Sequence, residues 1–278
     1  MIKESILNEI TKRSQLVISS TADMLYYSNL HNKSPLEMAF PGVGTFKYLN
    51  RAEEDRSKKD YKEFTYTVND IGFRDSYPAV STKDLIGFFG CSITFGEGNP
   101  TEDNFPYQIS KLYNKPHLNL GMPGSSSQRI ALIFQAAAQL WDMDIAVITL
   151  PNWGRFHYIT SENLMASVIP PNYHGIPECE KVRTSLVKRF SDQYLMSATK
   201  DAVATIVSIA KQKNIKLILG SWDEETRQII DASLNYQSAA FRYNYKIESA
   251  RDNIHPGPIA CAEYTNVVDI YIKENRYA

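Results

Sequence analysis

From Leu85 to Gly220 the chain repeats one pattern, a short and mostly apolar run cut off by glycine or proline, followed by a longer stretch of helical periodicity. Leu85 to Phe89 is stopped by Gly90, His117 to Leu120 by Gly121, Ile145 to Leu150 by Pro151, and Ile215 to Leu219 by Gly220. Runs this short and this rich in Ile, Val, Leu and Phe predict strands buried on both faces, as in a parallel sheet. Helical segments are predicted between them at about 104–113, 126–141 and 193–213, the last with Ala202, Ile206, Ile209 and Ala210 on one face. Alternating strands and helices predict a three-layer α/β/α sandwich with a mainly parallel sheet and right-handed crossovers. Such sheets bind ligands beyond the carboxyl ends of their strands. Those ends carry Ser92, Gly124, Asn152 and Trp222.

Residues 1–80 read differently. Ile2, Ile6, Leu7 and Ile10 predict an amphipathic helix, and Ser28 to Pro78 is rich in Tyr, Asn, Pro and Gly, with an alternating stretch from Phe64 to Val68. The division predicted is an N-terminal helix and partly β extension over 1–80, then an α/β domain over 81–278. Phe156 to Glu180, with Pro170, Pro171 and Pro177, is long for an ordinary connection and predicts a lid or rim loop.

A chain of 278 residues with 43% hydrophobic and 22% charged residues falls in the range of folded domains. Its net charge of -1 encodes no global attraction to nucleic acid or anionic lipid. No apolar run approaches the roughly 20 residues of a membrane-spanning helix, and Glu4 and Glu9 come too early for a signal peptide, so the reading is cytoplasmic. Cys91, Cys179 and Cys261 are too few and too scattered for a disulfide framework or a zinc motif, which fits a reducing compartment. His157, His174 and Cys179 lack compact metal-ligand spacing, so no metal is expected.

Within Gly87 to Gly96, Ser92 stands two residues beyond a buried strand in a glycine-flanked turn, where backbone N–H groups can point at a ligand. Gly90 and Gly96 enclose five residues and are followed by Glu97, which excludes a Walker A loop; Thr94 stands where a nucleophile elbow needs glycine. No G-x-G-x-x-G follows a strand, so dinucleotide binding is unsupported. Alone, Ser92 reads equally well as a helix cap. Asp252 and His255 stand three residues apart before Pro256, which bars His255 from helical geometry and predicts an exposed histidine on the loop entering a C-terminal helix. A carboxylate at that offset can reach the imidazole Nδ1–H and leave Nε2 to accept a proton; the plain alternative is an Asp252 helix cap beside a surface histidine. Trp153, Arg155 and Trp222 are candidate substrate-binding residues, able to stack on a sugar or hold an anionic acyl donor, and equally readable as packing tryptophans and a solvated arginine. Tyr236, Phe241, Tyr243 and Tyr245 could line a rim or pack at the surface.

Four blocks, in order, resemble the SGNH/GDSL hydrolase family: Gly90-Cys91-Ser92 with Phe95-Gly96, Asn119 to Gly124, Leu150-Pro151-Asn152, and Asp252-Asn253-Ile254-His255-Pro256. Asn69 to Arg74 is similar to a segment that precedes the first block in some members. The resemblance implies a flavodoxin-like sandwich of the SGNH type. It implies Ser92 as nucleophile, His255 as general base and Asp252 as orienting acid, with an oxyanion hole of Ser92 N–H, Gly124 N–H and the Asn152 amide. Gly121 is the alternative to Gly124. Two positions depart from the family pattern: Cys91 replaces the usual Asp before the serine, where a small buried hydrophobe is expected, and Trp153 replaces the usual Asp after Asn152. The implied activity is a serine esterase acting without a cofactor on short acyl esters such as O-acetyl groups of carbohydrates. A glycan-binding or structural module with a degenerate site, and an O-acyltransferase using the same residues, are the alternatives.

Overall fold

The computed structural model describes residues 47–48, 66–67, 73–74, 78, 81–159, 165–168, 191–234, 238–241, 250 and 255–274. Two short strands, β1 (Lys47–Tyr48) and β2 (Tyr66–Thr67), pair antiparallel. The main unit then runs β3 (Leu85–Gly90), α1 (Ser92–Phe95), α2 (Phe105–Tyr113), β4 (His117–Gly121), α3 (Ser127–Leu140) and β5 (Met143–Leu150). A hairpin of β6 (Phe156–Ile159) and β7 (Met165–Val168) follows, then α4 (Asp192–Lys213), β8 (Lys216–Ser221), α5 (Glu224–Leu234), β9 (Ala239–Ala240) and α6 (Pro258–Glu274).

Five strands form one sheet in the order β4-β3-β5-β8-β9, and every neighbouring pair is parallel. The chain thus starts in the middle, steps to one edge and then walks to the other. The reversal falls between β3 and β5, where a doubly wound sheet opens a crevice at its carboxyl edge. This is the α/β fold that the sequence pattern predicts, and its strand order is flavodoxin-like, as the resemblance implies.

Side chains alternate across the sheet and build two cores. Ile86, Phe88, Ile145 and Val147 meet Phe105 and Ile109 of α2 and Tyr264, Val268 and Ile272 of α6. Leu85, Phe89, Ala146 and Ile148 meet Ile130 and Phe134 of α3 and Val203 and Ile206 of α4. Each fully buried Phe or Ile contributes about 1.5–3 kcal/mol. The helices start and stop where short polar side chains and tolerated left-handed geometry allow. Ser126 accepts from Arg129 N–H at the head of α3 and Ser191 from Tyr194 N–H at the head of α4, while Asn114 and Asn214 close α2 and α4 in the left-handed conformation.

Four expectations need correction or extension. The sheet has a fifth strand, β9, two alanines long and without an apolar run to announce it. Helix α5 was hidden in the polar stretch Glu224–Leu234. The last helix begins at Pro258, two residues beyond the proline that signalled it. The stretch read as a lid or rim loop contains the β6–β7 hairpin, its remainder lying outside the described residues. The N-terminal helix expected over the first residues also lies outside them.

From the segment 1–80, Phe73 is fully buried in the core cluster with Leu85 and Phe89. Its neighbour Arg74 is 1% exposed and donates to Phe95 O at 2.8 Å, Gly96 O at 2.6 Å and Asn99 O at 2.8 Å. Phe95 O and Gly96 O stand at the end of α1, where Asn104 Nδ2 at 3.1 Å and Asn99 N–H at 3.2 Å also serve them, so Arg74 adds a second donor to each and ties them to Asn99 O. Replacing Arg74 by Met keeps the stem and removes its donors, taking one bond from Asn99 O and leaving Phe95 O and Gly96 O with one donor each. The expected loss is about 1–3 kcal/mol of unfolding free energy, read by urea denaturation; an effect below about 0.5 kcal/mol, typical of a surface side chain, would contradict this role.

Candidate active site

Strand β3 delivers the chain to the carboxyl edge, where Cys91 turns it and Ser92 opens the four-residue helix α1. The reading of Ser92 as a cap does not hold, because Cys91 occupies the cap position and no side chain bonds there. The turn closes through Gly96 N–H and Glu97 N–H, which both donate to Ser92 O at 2.9 and 3.0 Å. Ser92 is 6% exposed, and its hydroxyl contacts Cys91 Sγ at 4.0 Å, a weak contact. Cys91 itself is buried in the α2–α6 core, as a small hydrophobe would be. Strand β4 approaches this turn so closely that a Cβ on Gly121 would lie 2.3 Å from Phe95 N, so only glycine fits.

His255 is buried, 6% exposed, where an exposed loop histidine was expected. The cause is a tether. Asn99 Nδ2 donates to Pro256 O at 2.7 Å and ties the His255 segment to the Ser92 loop, and Ala250 N–H donates to His255 O at 2.7 Å. His255 Nε2 lies 3.6 Å from Glu97 Oε2. Glu97 ends the Ser92 turn, so the Nε2 edge of the ring faces that turn and the Nδ1 edge faces away from Glu97. Asp252 lies outside the described residues.

The candidate oxyanion donors come from the next two strands. Beyond β4, Gly124 has φ of 74°, the left-handed region that favours glycine, and a Cβ there would meet nothing within 4 Å. Its amide faces no acceptor among the described residues, whereas Gly121 N–H is taken by Asn119 Oδ1 at 3.1 Å. Of the two glycines, Gly124 therefore has the available donor. Beyond β5, Asn152 is clamped at both ends of its amide. Nδ2 donates to Asp223 Oδ1 at 2.9 Å and Oδ1 accepts from Gly154 N–H at 2.8 Å. Asp223 is itself fixed at the start of α5, its Oδ2 accepting from Thr226 N–H and Oγ1 at 2.9 and 2.8 Å. An amide nitrogen carries two hydrogens, so one remains after Asp223 is served.

The remaining candidates divide. Trp153 Nε1 donates to Glu225 Oε2 at 2.5 Å. Arg155 is 9% exposed, not solvated, and its guanidinium stands over the Trp222 ring 5.6 Å from the centroid. Phe241 is fully buried core rather than rim, and Tyr236, Tyr243, Tyr245, His174 and Cys179 lie outside the described residues. Sequence reading missed Glu97, Asn99 and Asp223, for which no motif exists; the only signal was their position just past glycine or a strand end. It also missed Arg129, wholly buried in the first turn of α3, where desolvation lowers the guanidinium to about 10. A cavity of about 280 Å³ beside Lys83, Asp84, Trp141 and Lys213 lies at the amino ends of the strands, the opposite edge from these groups.

No described helix is long and apolar enough to cross a membrane. No family model matches the sequence, and no curated protein does. Among solved structures, a psychrotrophic esterase from a Pseudoalteromonas species is 11% identical with a TM-score of 0.45, covering 70% of this chain and 100% of its own. A G-D-S-L family lipolytic protein from Desulfitobacterium hafniense is 13% identical with a TM-score of 0.41, covering 68% and 99%. An acetyl xylan esterase from Butyrivibrio proteoclasticus is 12% identical with a TM-score of 0.48, covering 74% and 67%. In fold, the chain is similar to these esterases and GDSL-type proteins.

Proposed function

We propose that this chain is a serine esterase in which Ser92 attacks the ester carbonyl, His255 Nε2 takes its proton and Asp252 orients the imidazole. The observation that carries the reading is the burial of Ser92 and His255 at one edge of the sheet, with the Nε2 side of the ring turned to the nucleophile loop and the two loops joined by Asn99. Gly124 and Asn152 supply donors from the neighbouring strand ends. As Ser92 Oγ bonds to the carbonyl carbon, the developing oxyanion is held by Ser92 N–H, Gly124 N–H and Asn152 Nδ2. The intermediate collapses, the alcohol leaves with the proton from His255, and water repeats the sequence on the acyl-enzyme. Ser92 Oγ and His255 Nε2 close on each other when substrate fills the site, as catalytic hydrogen bonds commonly do.

Short acyl groups, O-acetyl on a carbohydrate among them, suit this site best. Of the exposed large apolar side chains, Leu112 and Ile270 stand near the ends of α2 and α6, at the amino edge of the sheet, and only the single side chains Tyr194 and Ile259, in the first turns of α4 and α6, stand at the edge that carries the site, too few among the described residues for a lipid-gripping surface. Turnover of p-nitrophenyl acetate tests the reading, and Asn152→Ala is expected to lower kcat by about 10²–10³ with KM little changed. A fall of less than about tenfold would remove Asn152 from the oxyanion hole. The second reading, a glycan-binding module with a degenerate site, is favoured by the contact of Ser92 Oγ with Cys91 rather than with the imidazole. It requires no ester turnover and glycan binding that survives Ser92→Ala.

A further inference from the structure

Arg155 and Trp222 sit at the carboxyl ends of adjacent parallel strands, whose last residues Leu150 and Ser221 are paired in register. Arg155 N–H donates to Asn152 O at 3.0 Å, so the guanidinium stands one turn beyond the candidate oxyanion donor. At the neighbouring end of β8, Trp222 precedes Asp223, the residue that holds Asn152. Two links therefore bridge these strand ends side by side, Asn152 to Asp223 by a hydrogen bond and Arg155 to Trp222 by cation–π contact.

The second link is chemically incomplete. Arg155 Nε and Trp222 Nε1 are both buried donors that reach no acceptor. Among the described residues, the three carboxylates that follow Trp222 in the chain bond elsewhere: Asp223 to Asn152 and Thr226, Glu224 to Arg227, Glu225 to Trp153. A ring face attracts a guanidinium without supplying an acceptor for its in-plane N–H groups, so the cation is placed but not neutralised. A charge nine-tenths buried normally has a carboxylate or phosphate partner with bidentate geometry.

We infer that Arg155 and the Trp222 indole N–H form a subsite for an oxyanion, a carboxylate or phosphate group carried by the ester substrate close to its scissile bond. The inference rests on the esterase reading for what the anion is attached to, and on the Arg155–Trp222 geometry alone for the anion itself. Arg155 supplies charge and two-point recognition, Trp222 a further donor, and the desolvated setting strengthens both. Neutral esters lack the one group these donors require, so the subsite sets specificity rather than rate at the carbonyl.

The test compares 4-acetoxybenzoate with its neutral methyl ester, and 4-acetoxyphenyl phosphate as the phosphate arm. The wild-type protein is expected to favour at least one anionic ester in kcat/KM by about tenfold or more, and Arg155→Gln to abolish the preference, mainly through KM. Trp222→Phe keeps the ring under the guanidinium and removes the N–H, and is expected to reduce the preference partly; it serves if Arg155→Gln loses its near-ultraviolet circular dichroism. Equal kcat/KM for charged and neutral esters, or a preference that persists in both variants, would overturn the assignment. Tryptophan fluorescence titrated with benzoate and with inorganic phosphate separates this inference from the esterase reading. If no ester turns over but either anion binds wild type and Ser92→Ala, and not Arg155→Gln, the subsite stands and the esterase reading falls. Absence of Arg155-dependent binding of both anions removes the subsite whatever the turnover.

Discussion

Ser92→Ala is expected to reduce ester turnover by about 10⁴-fold or more while leaving the fold intact. The size of the effect follows from what the hydroxyl does: it is the atom that forms the new bond, and no neighbour can replace it. Cys91 is the nearest nucleophile, with its sulfur 4.0 Å from Ser92 Oγ, but its side chain belongs to the core between the sheet and α2–α6. The fold should not notice the change. Ser92 Oγ caps no helix, and the turn is held by backbone bonds to Ser92 O that alanine keeps. Residual turnover well above the background of the oxyanion hole would point to water activated by His255 instead of a covalent path. Measuring kcat together with the urea midpoint separates a lost nucleophile from a lost structure.

Asp252→Asn is expected to cost about 10⁴-fold in kcat, roughly 5.5 kcal/mol of transition-state stabilisation. The reason is the tautomer. His255 must present an unprotonated Nε2 to Ser92 and a protonated Nδ1 to its partner, and then become an imidazolium. A carboxylate accepts from Nδ1–H and stabilises the cation; an amide at the same place can turn its NH₂ to the ring and fix the wrong nitrogen. Glu97 makes this prediction discriminating, because a second carboxylate stands 3.6 Å from Nε2. If Glu97 were the acid that serves His255, Asp252→Asn would change kcat by less than about tenfold and Glu97→Gln would carry the loss. With Asp252 as the orienting group, the large effect stays with Asp252.

The sheet was legible because its signal is strong and local: four mostly apolar runs, each too short for a helix and ended by glycine or proline, read as buried strands. Strand β9 was illegible because two alanines bonded to Gly220 and Ser221 have no pattern of their own. The candidate nucleophile, histidine and oxyanion donors proposed here were legible as motifs in sequence order. Their environment was not. His255 was expected at the surface since Pro256 marks a loop, yet it is buried, its loop held by a hydrogen bond from Asn99 to Pro256 O across 157 residues and by Ala250 N–H on its own carbonyl. Arg155 was read as a solvated arginine or an anion holder, and only the packing on Trp222 and the commitment of Asp223, Glu224 and Glu225 elsewhere distinguish the two. Arg74 likewise has meaning only once α1 is seen to end in carbonyls to which it donates. Local apolar patterning survives in sequence; partner choice among polar groups depends on the three-dimensional assembly.

The central claim is that Ser92 is a nucleophile activated by His255, and a fluorophosphonate adduct tests it most directly. Incubation of the folded protein with the probe, followed by proteolysis and mass spectrometry, is expected to place one phosphonyl group on Ser92, with labelling lost in His255→Ala. A folded protein that acquires no adduct on Ser92, or labels it equally well without His255, would contradict the account.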